Sequence, residues 1–154
     1  MDDESPAFVD TNVLVYAFDS SEPVRQPAAA HLLSRLMDDD RLRLSTQVLQ
    51  EFYVTMTRKV RTPWSPDRAL AKLDDLAAWP VLPADLAIIR EAVLLSRDAV
   101  VSFWDALIVV SAARSGAEIL YTEDLNDGQI LGGVRVVNPF SADARQTGDL
   151  RSPT

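Results

Sequence analysis

Short apolar runs alternate along this chain with longer segments whose apolar residues recur at helical spacing, and that alternation limits the folds open to it. Ala7-Phe8-Val9, Arg41-Leu42-Arg43-Leu44, the proline-bounded Trp79-Pro80-Val81-Leu82-Pro83, Glu118-Ile119-Leu120-Tyr121 and Arg135-Val136-Val137 read as strands. Helices are expected over residues 12–18, 25–37 (Ala29, Leu32, Leu33, Leu36), 67–78, 84–97 (Leu86, Ile89, Val93, Leu94 on one face) and 102–115, ending at Gly116. A further helix begins at Ser45 or Thr46 and carries Val48, Leu49, Phe52, Val54 and Met56, while Ser65 and Pro66 suit the cap and first turn of the 67–78 helix. Strands alternating with helices imply an α/β fold with a mostly parallel sheet covered on both faces. Without repeat or linker, residues 6–140 read as one domain, and residues 1–5 and 141–154 as flexible tails.

Sheet direction turns four scattered acids into one candidate site. Ligands of open α/β sheets bind outside the carboxyl ends of the strands. Asp10 follows the first strand and Asp124 the fourth; Glu51 lies in the early turns of the helix after the second strand, and Asp105 in the first turn of its helix. All four are therefore expected at the same edge. Carboxylates sharing a pocket repel one another unless a cation neutralises them, and an all-oxygen donor set suits Mg²⁺ or Mn²⁺. Such ions acidify water, so phosphodiester hydrolysis needs no histidine or lysine base. Thr11, Asn12 and Thr122 stand where they would orient carboxylates or waters.

Other residues narrow the chemistry. With no cysteine, thiolate metal sites and disulfides are excluded, and a lone His31 excludes a multi-histidine zinc site. No apolar run approaches the roughly 20 residues that span a bilayer, and the acidic start Met1-Asp2-Asp3-Glu4 is unlike a signal peptide, so a cytoplasmic location is expected. A net charge of −8 argues against holding nucleic acid by a basic surface alone, but not against an acidic pocket offset by metal. Arg41 and Arg43, and Arg58, Lys59 and Arg61, read either as solvated surface or as a phosphate- or acid-contacting edge. A phosphotransfer receiver needs a lysine after a late strand, whereas the two lysines are Lys59 and Lys72. A haloacid-dehalogenase-like site needs a second acid where Asn12 stands.

Each acid also has a plain structural reading. Asp105 could close a capping box with Ser102, Asp10 and Asp124 could be turn residues, and Asp127-Gly128 is a common turn pair. Glu51, between Leu49 and Phe52, calls for a partner, and Glu123 is expected to face solvent. Trp64, Trp79 and the helix around Leu86, Ile89 and Leu94 are expected in the core.

Phe8-Val9-Asp10-Thr11-Asn12-Val13-Leu14-Val15-Tyr16, Ser45-Thr46-Gln47-Val48-Leu49-Gln50-Glu51-Phe52, Trp104-Asp105-Ala106-Leu107-Ile108 and Tyr121-Thr122-Glu123-Asp124-Leu125-Asn126-Asp127-Gly128 stand in the order seen in the PIN-domain family. Over residues 8 to about 140 the chain resembles that family, particularly its VapC-type toxins. The resemblance implies a three-layer α/β/α fold and a Mg²⁺- or Mn²⁺-dependent endoribonuclease. It makes Asp10, Glu51, Asp105 and Asp124 metal-binding and catalytic, with Asp127 an additional metal acid. It also implies a homodimer inhibited by a cognate antitoxin whose tail enters the acidic pocket. The competing reading is a PIN-like module that binds RNA or protein without cutting.

Overall fold

The computed structural model describes residues 5–141. The expected tails, apart from Ser5 and Ser141, lie outside the described residues. The elements run β1 (Ala7–Val9), α1 (Thr11–Phe18), α2 (Arg25–Asp38), β2 (Leu42–Ser45), α3 (Thr46–Arg58), α4 (Pro66–Leu76), β3 (Val81–Leu82), α5 (Leu86–Ala99), α6 (Phe103–Arg114), β4 (Ile119–Tyr121), β5 (Ile130–Leu131) and β6 (Val134–Val137). The strands form one sheet in the order β3-β2-β1-β4-β6-β5, parallel except where β5 meets β6. Helices flank this sheet in the three-layer arrangement expected for its class.

Side-chain caps set most helix starts. Ser45, Ser65, Asp85 and Ser102 each accept the backbone N–H three residues on, and Pro66 occupies the first turn of α4. Phe8, Val9, Leu42, Leu44, Leu120 and Val136 are fully buried strand residues, as in a sheet covered on both faces. Helix α6 is buried on nearly every side from Ala106 to Ala112, because it lies between the sheet and α5. Trp64 is in the core, edge-on to Phe18 and Phe52, and Trp79 packs against that core while half-buried.

Three expectations are corrected. Helix α5 turns Ile88 and Ala92 inward onto Ala106, Leu107 and Val110, and leaves Leu86, Ile89, Val93 and Leu94 exposed, Leu86 by 71%. The helix is apolar on more than one face, so periodicity alone selected the wrong stripe. Arg41 is not a solvated surface residue: it is buried, its Nε donating to the Ser5 carbonyl at 2.7 Å. The β5–β6 hairpin was not anticipated; its two-residue turn is Gly132-Gly133, both at positive φ (55° and 82°), the geometry that matches strand twist in tight hairpins.

The strand order has one consequence for function. From β1 the chain crosses to β2 on one side and β4 lies on the other, which makes the β1–β4 boundary the topological switch point. At such a point the connections leave in opposite directions and open a crevice at the strands' carboxyl ends.

Candidate functional site

Asp10 stands at that crevice. Its backbone extends the β1–β4 ladder by donating to Tyr121 O at 3.0 Å, and its side chain caps α1 by accepting Thr11 N at 2.7 Å. The second carboxylate oxygen accepts the Thr122 hydroxyl at 2.8 Å. Thr122 is a fully buried hub, for its Oγ1 also accepts Asp124 N at 3.1 Å and Asn12 Nδ2 at 3.3 Å. Asn12 Oδ1 accepts Glu123 N at 3.3 Å. The end of β1 and the loop after β4 are thus sewn together by short polar side chains.

With 6% of its surface accessible, Asp10 has its pKa raised from 3.8 to about 7. Burial is the largest cause; the Thr122 and Thr11 hydrogen bonds oppose it, while the charges of Asp124 and Glu51 add to it. Among the described residues, no cationic side chain forms an ion pair with Asp10. A cleft of about 550 Å³ opens here, lined by Asp10, Glu51 and Asp124 together with Thr11 and Asn12. Glu51 Oε1 accepts Gln47 Nε2 at 2.7 Å, one turn earlier on α3. The same amide donates to Trp104 O at 3.4 Å and so ties Glu51 to the first turn of α6, which holds Asp105.

The structure therefore brings Asp10, Glu51 and Asp124 to one cleft. Asp105 does not line it: its N–H bonds to Ser102 Oγ at 3.1 Å, and its side chain is half-buried one residue past the Gln47 contact. Asp127 also lies outside the lining: it sits in the turn closed by Gln129 N donating to Asn126 O at 3.1 Å, and its carboxylate accepts Asn138 N at 2.9 Å, just past β6. Glu123 does not face solvent freely as expected. It accepts the Tyr16 hydroxyl at 3.1 Å and Arg25 Nε at 2.7 Å, with the Arg25 guanidinium over the Tyr16 ring. Sequence reading missed this clamp and the role of Gln47, although the i,i+4 spacing of Gln47 and Glu51 was a usable signal. Of the basic cluster that the sequence reads either as solvated surface or as a contacting edge, Lys59 and Arg61 line the same cleft and Arg58 does not.

Among the described residues, no three acid or imidazole side chains stand arranged as a formed metal cage. A hard divalent ion does not require one, since Mg²⁺ is commonly held by one or two carboxylates and keeps several waters. The donor set fits that mode. It is all oxygen, with the carboxylates of Asp10, Glu51 and Asp124 lining one cleft together with Thr11 and Asn12.

Comparison with known proteins agrees with this geometry. The PIN domain profile matches residues 7–126, a span containing all four expected acids. Ribonuclease VapC23 of Mycobacterium tuberculosis is 39% identical over 84 residues, covering 52% of this chain and 64% of that protein, so the chain spans under two thirds of that relative's length. A toxin–antitoxin complex from Klebsiella pneumoniae matches with a TM-score of 0.65 at 20% identity, covering 86% of this chain and 97% of that one. Mycobacterium tuberculosis VapC20, described as a sarcin–ricin loop cleaving toxin, matches at 0.59 and 21% identity, covering 84% and 98%. At these identities the structural matches establish the fold. Matched by the family profile over most of its length, this chain belongs to the PIN-domain family.

Proposed function

We propose that this protein is a divalent-metal-dependent endoribonuclease, with Asp10, Glu51, Asp105 and Asp124 as its metal-binding and catalytic acids and residues 6–140 as its nuclease domain. The observation that carries the reading is Asp10: a carboxylate buried at the switch point, sharing its cleft with Glu51 and Asp124, and in no ion pair with a cationic side chain among the described residues. The similarity to Ribonuclease VapC23 supports RNA as substrate. When bound, a divalent ion supplies an acidified water and neutralises charge developing on the phosphodiester.

The chain's own residues prepare that chemistry. Thr122 and the Thr11 N–H fix the Asp10 carboxylate in one orientation, so little reorganisation is needed when a cation arrives. Asn12 and Thr122 hold the loop that carries Asp124. Gln47 orients Glu51 and joins it to the first turn of α6, the link by which Asp105 would contribute. We assign Mg²⁺, with Mn²⁺ the alternative, because both prefer oxygen donors and water. Asp127 would join only if its carboxylate left the Asn138 N–H.

In the same reading the protein is the cytoplasmic toxin of a toxin–antitoxin pair, a homodimer held inactive by its antitoxin. No helix among the described residues is long and apolar enough to cross a membrane. The exposed apolar residues of α5 support self-association, and Trp104 on α6 is also exposed, by 63%. Purified protein is expected to cleave structured RNA with Mg²⁺ and to stop on chelation. Equal cleavage by wild type and D10N would trace the activity to a contaminant and remove the assignment. RNA binding without cleavage would favour a non-cutting module.

A further inference from the structure

The cleft has a second chemical character that the acids do not use. Helix α3 runs along one wall, and Glu51, Thr55 and Lys59 recur on it at successive turns, all three facing the cleft, with Arg61 just beyond the helix end. Lys59 and Arg61 are exposed, and among the described residues neither forms an ion pair. A cation near a helix C-terminus is ordinarily explained by the helix dipole. That explanation covers Lys59 as a surface residue, but not a pair of unpaired cations lining the cavity that holds the acids. Asp19 and Glu22, which follow the end of α1, also border the cleft.

We propose that Lys59 and Arg61 form a phosphate-binding track for single-stranded RNA, contacting the backbone beside the phosphodiester at the acidic end. The proposal rests on the ribonuclease reading and names how that same site holds its substrate. A chain of net charge −8 repels a polyanion over most of its surface, so the entry path must follow local positive charge. Within the cleft, Lys59 and Arg61 attract the strand, whereas Asp19 and Glu22 repel it. Eight residues of α3 separate Glu51 from Lys59, an axial rise of about 12 Å. That is the length of roughly three to four stacked nucleotides at about 3.4 Å each. A strand with its reacting phosphate at the acids therefore lays a phosphate roughly three to four nucleotides away beside Lys59 and Arg61. Because single strands are flexible, phosphate contacts of this kind set register and affinity without reading bases.

The test measures binding and cleavage separately on the full chain. Binding of a fluorescein-labelled, mixed-sequence single-stranded RNA is followed by anisotropy without metal across a potassium chloride series, and cleavage is measured with Mg²⁺. K59A and R61A are each expected to weaken binding about two- to fivefold and to reduce the slope of log affinity against log salt by about 0.7. In cleavage KM rises while kcat is kept. K59R and R61K retain wild-type behaviour, and melting temperatures stay unchanged because both side chains are exposed. Cleavage by K59A/R61A with wild-type KM and salt slope overturns the track and leaves the nuclease reading standing. Binding that depends on both residues without metal-dependent cleavage supports the track and overturns the nuclease reading. Displacement of the RNA by polyglutamate at equal charge concentration overturns RNA as the occupant and assigns the wall to an acidic peptide.

Discussion

Asp10 concentrates the chemistry of this protein in one carboxyl group. Its folded pKa of about 7 lies above the unfolded value of 3.8, so between these limits the folded chain keeps a proton that the unfolded chain has lost. Stability of the metal-free protein from this group is therefore full below about pH 4 and declines as pH rises to about 7, by about 4 kcal/mol across that window. Chemical denaturation of wild type and D10N over this range isolates the effect, and D10N is expected to lack the decline and to be the more stable protein at pH 8. Added Mg²⁺ should raise the melting temperature of wild type more at pH 8 than at pH 5, because the ion requires the charged form. D10N should show neither that gain nor measurable cleavage, the latter falling about 100-fold or more. Loss of the Thr122 hydroxyl acts differently. T122V leaves a buried Asp10 oxygen and the Asp124 N–H short of a partner, and is expected to cost about 1–3 kcal/mol and about 10- to 100-fold in cleavage. Wild-type activity in T122V would show that the hub does not orient Asp10.

At the scale of elements, the agreement and the misses have distinct physical causes. Helices α1, α2, α3, α4 and α6 start within a residue or so of where capping residues and apolar spacing put them, because caps and periodicity are local signals. Helix α5 exists where expected but turns a different stripe inward, since Leu86, Ile88, Ile89, Val93 and Leu94 are all apolar and only packing against α6 selects among them. The Gly132-Gly133 hairpin was legible in principle, yet β5 is two residues long and carries almost no periodicity. One element boundary stores strain. Val100 ends α5 in the left-handed region (φ 54°, ψ 48°) while 89% exposed, an unfavourable conformation for a β-branched residue. V100G removes that clash and is expected to raise stability by about 1 kcal/mol, measured by chemical denaturation; an unchanged or lower midpoint would show that contacts of the Val100 side chain outweigh the strain.

For the whole molecule, the exposed apolar surface of α5 is the feature an isolated domain explains least. Leu86, Val93 and Leu94 remain accessible even though α5 packs firmly on α6 and is joined to it by the Arg114–Glu91 ion pair. If this surface forms the proposed homodimer, L86E/V93E should shift sedimentation from dimer to monomer without lowering the monomer's helix content. An unchanged dimer would move the interface elsewhere.

What the sequence by itself determined is the type of every element except β5, the parallel α/β class and the four acids as the residues to watch. Those follow from local periodicity, from caps and from the rule that parallel strands present their carboxyl ends together. Tertiary structure decided which acids share the cleft. Asp10, Glu51 and Asp124 line it, while Asp105 reaches its neighbourhood through the Gln47–Trp104 contact and Asp127 is spent on a turn. It also decided that Glu123 is clamped by Tyr16 and Arg25, and that Lys59 and Arg61 line the cleft that holds the acids. Residues separated by dozens of positions meet only after strand order and helix rotation are set. Those depend on the packing of the whole core, so no local pattern encodes which charge faces which.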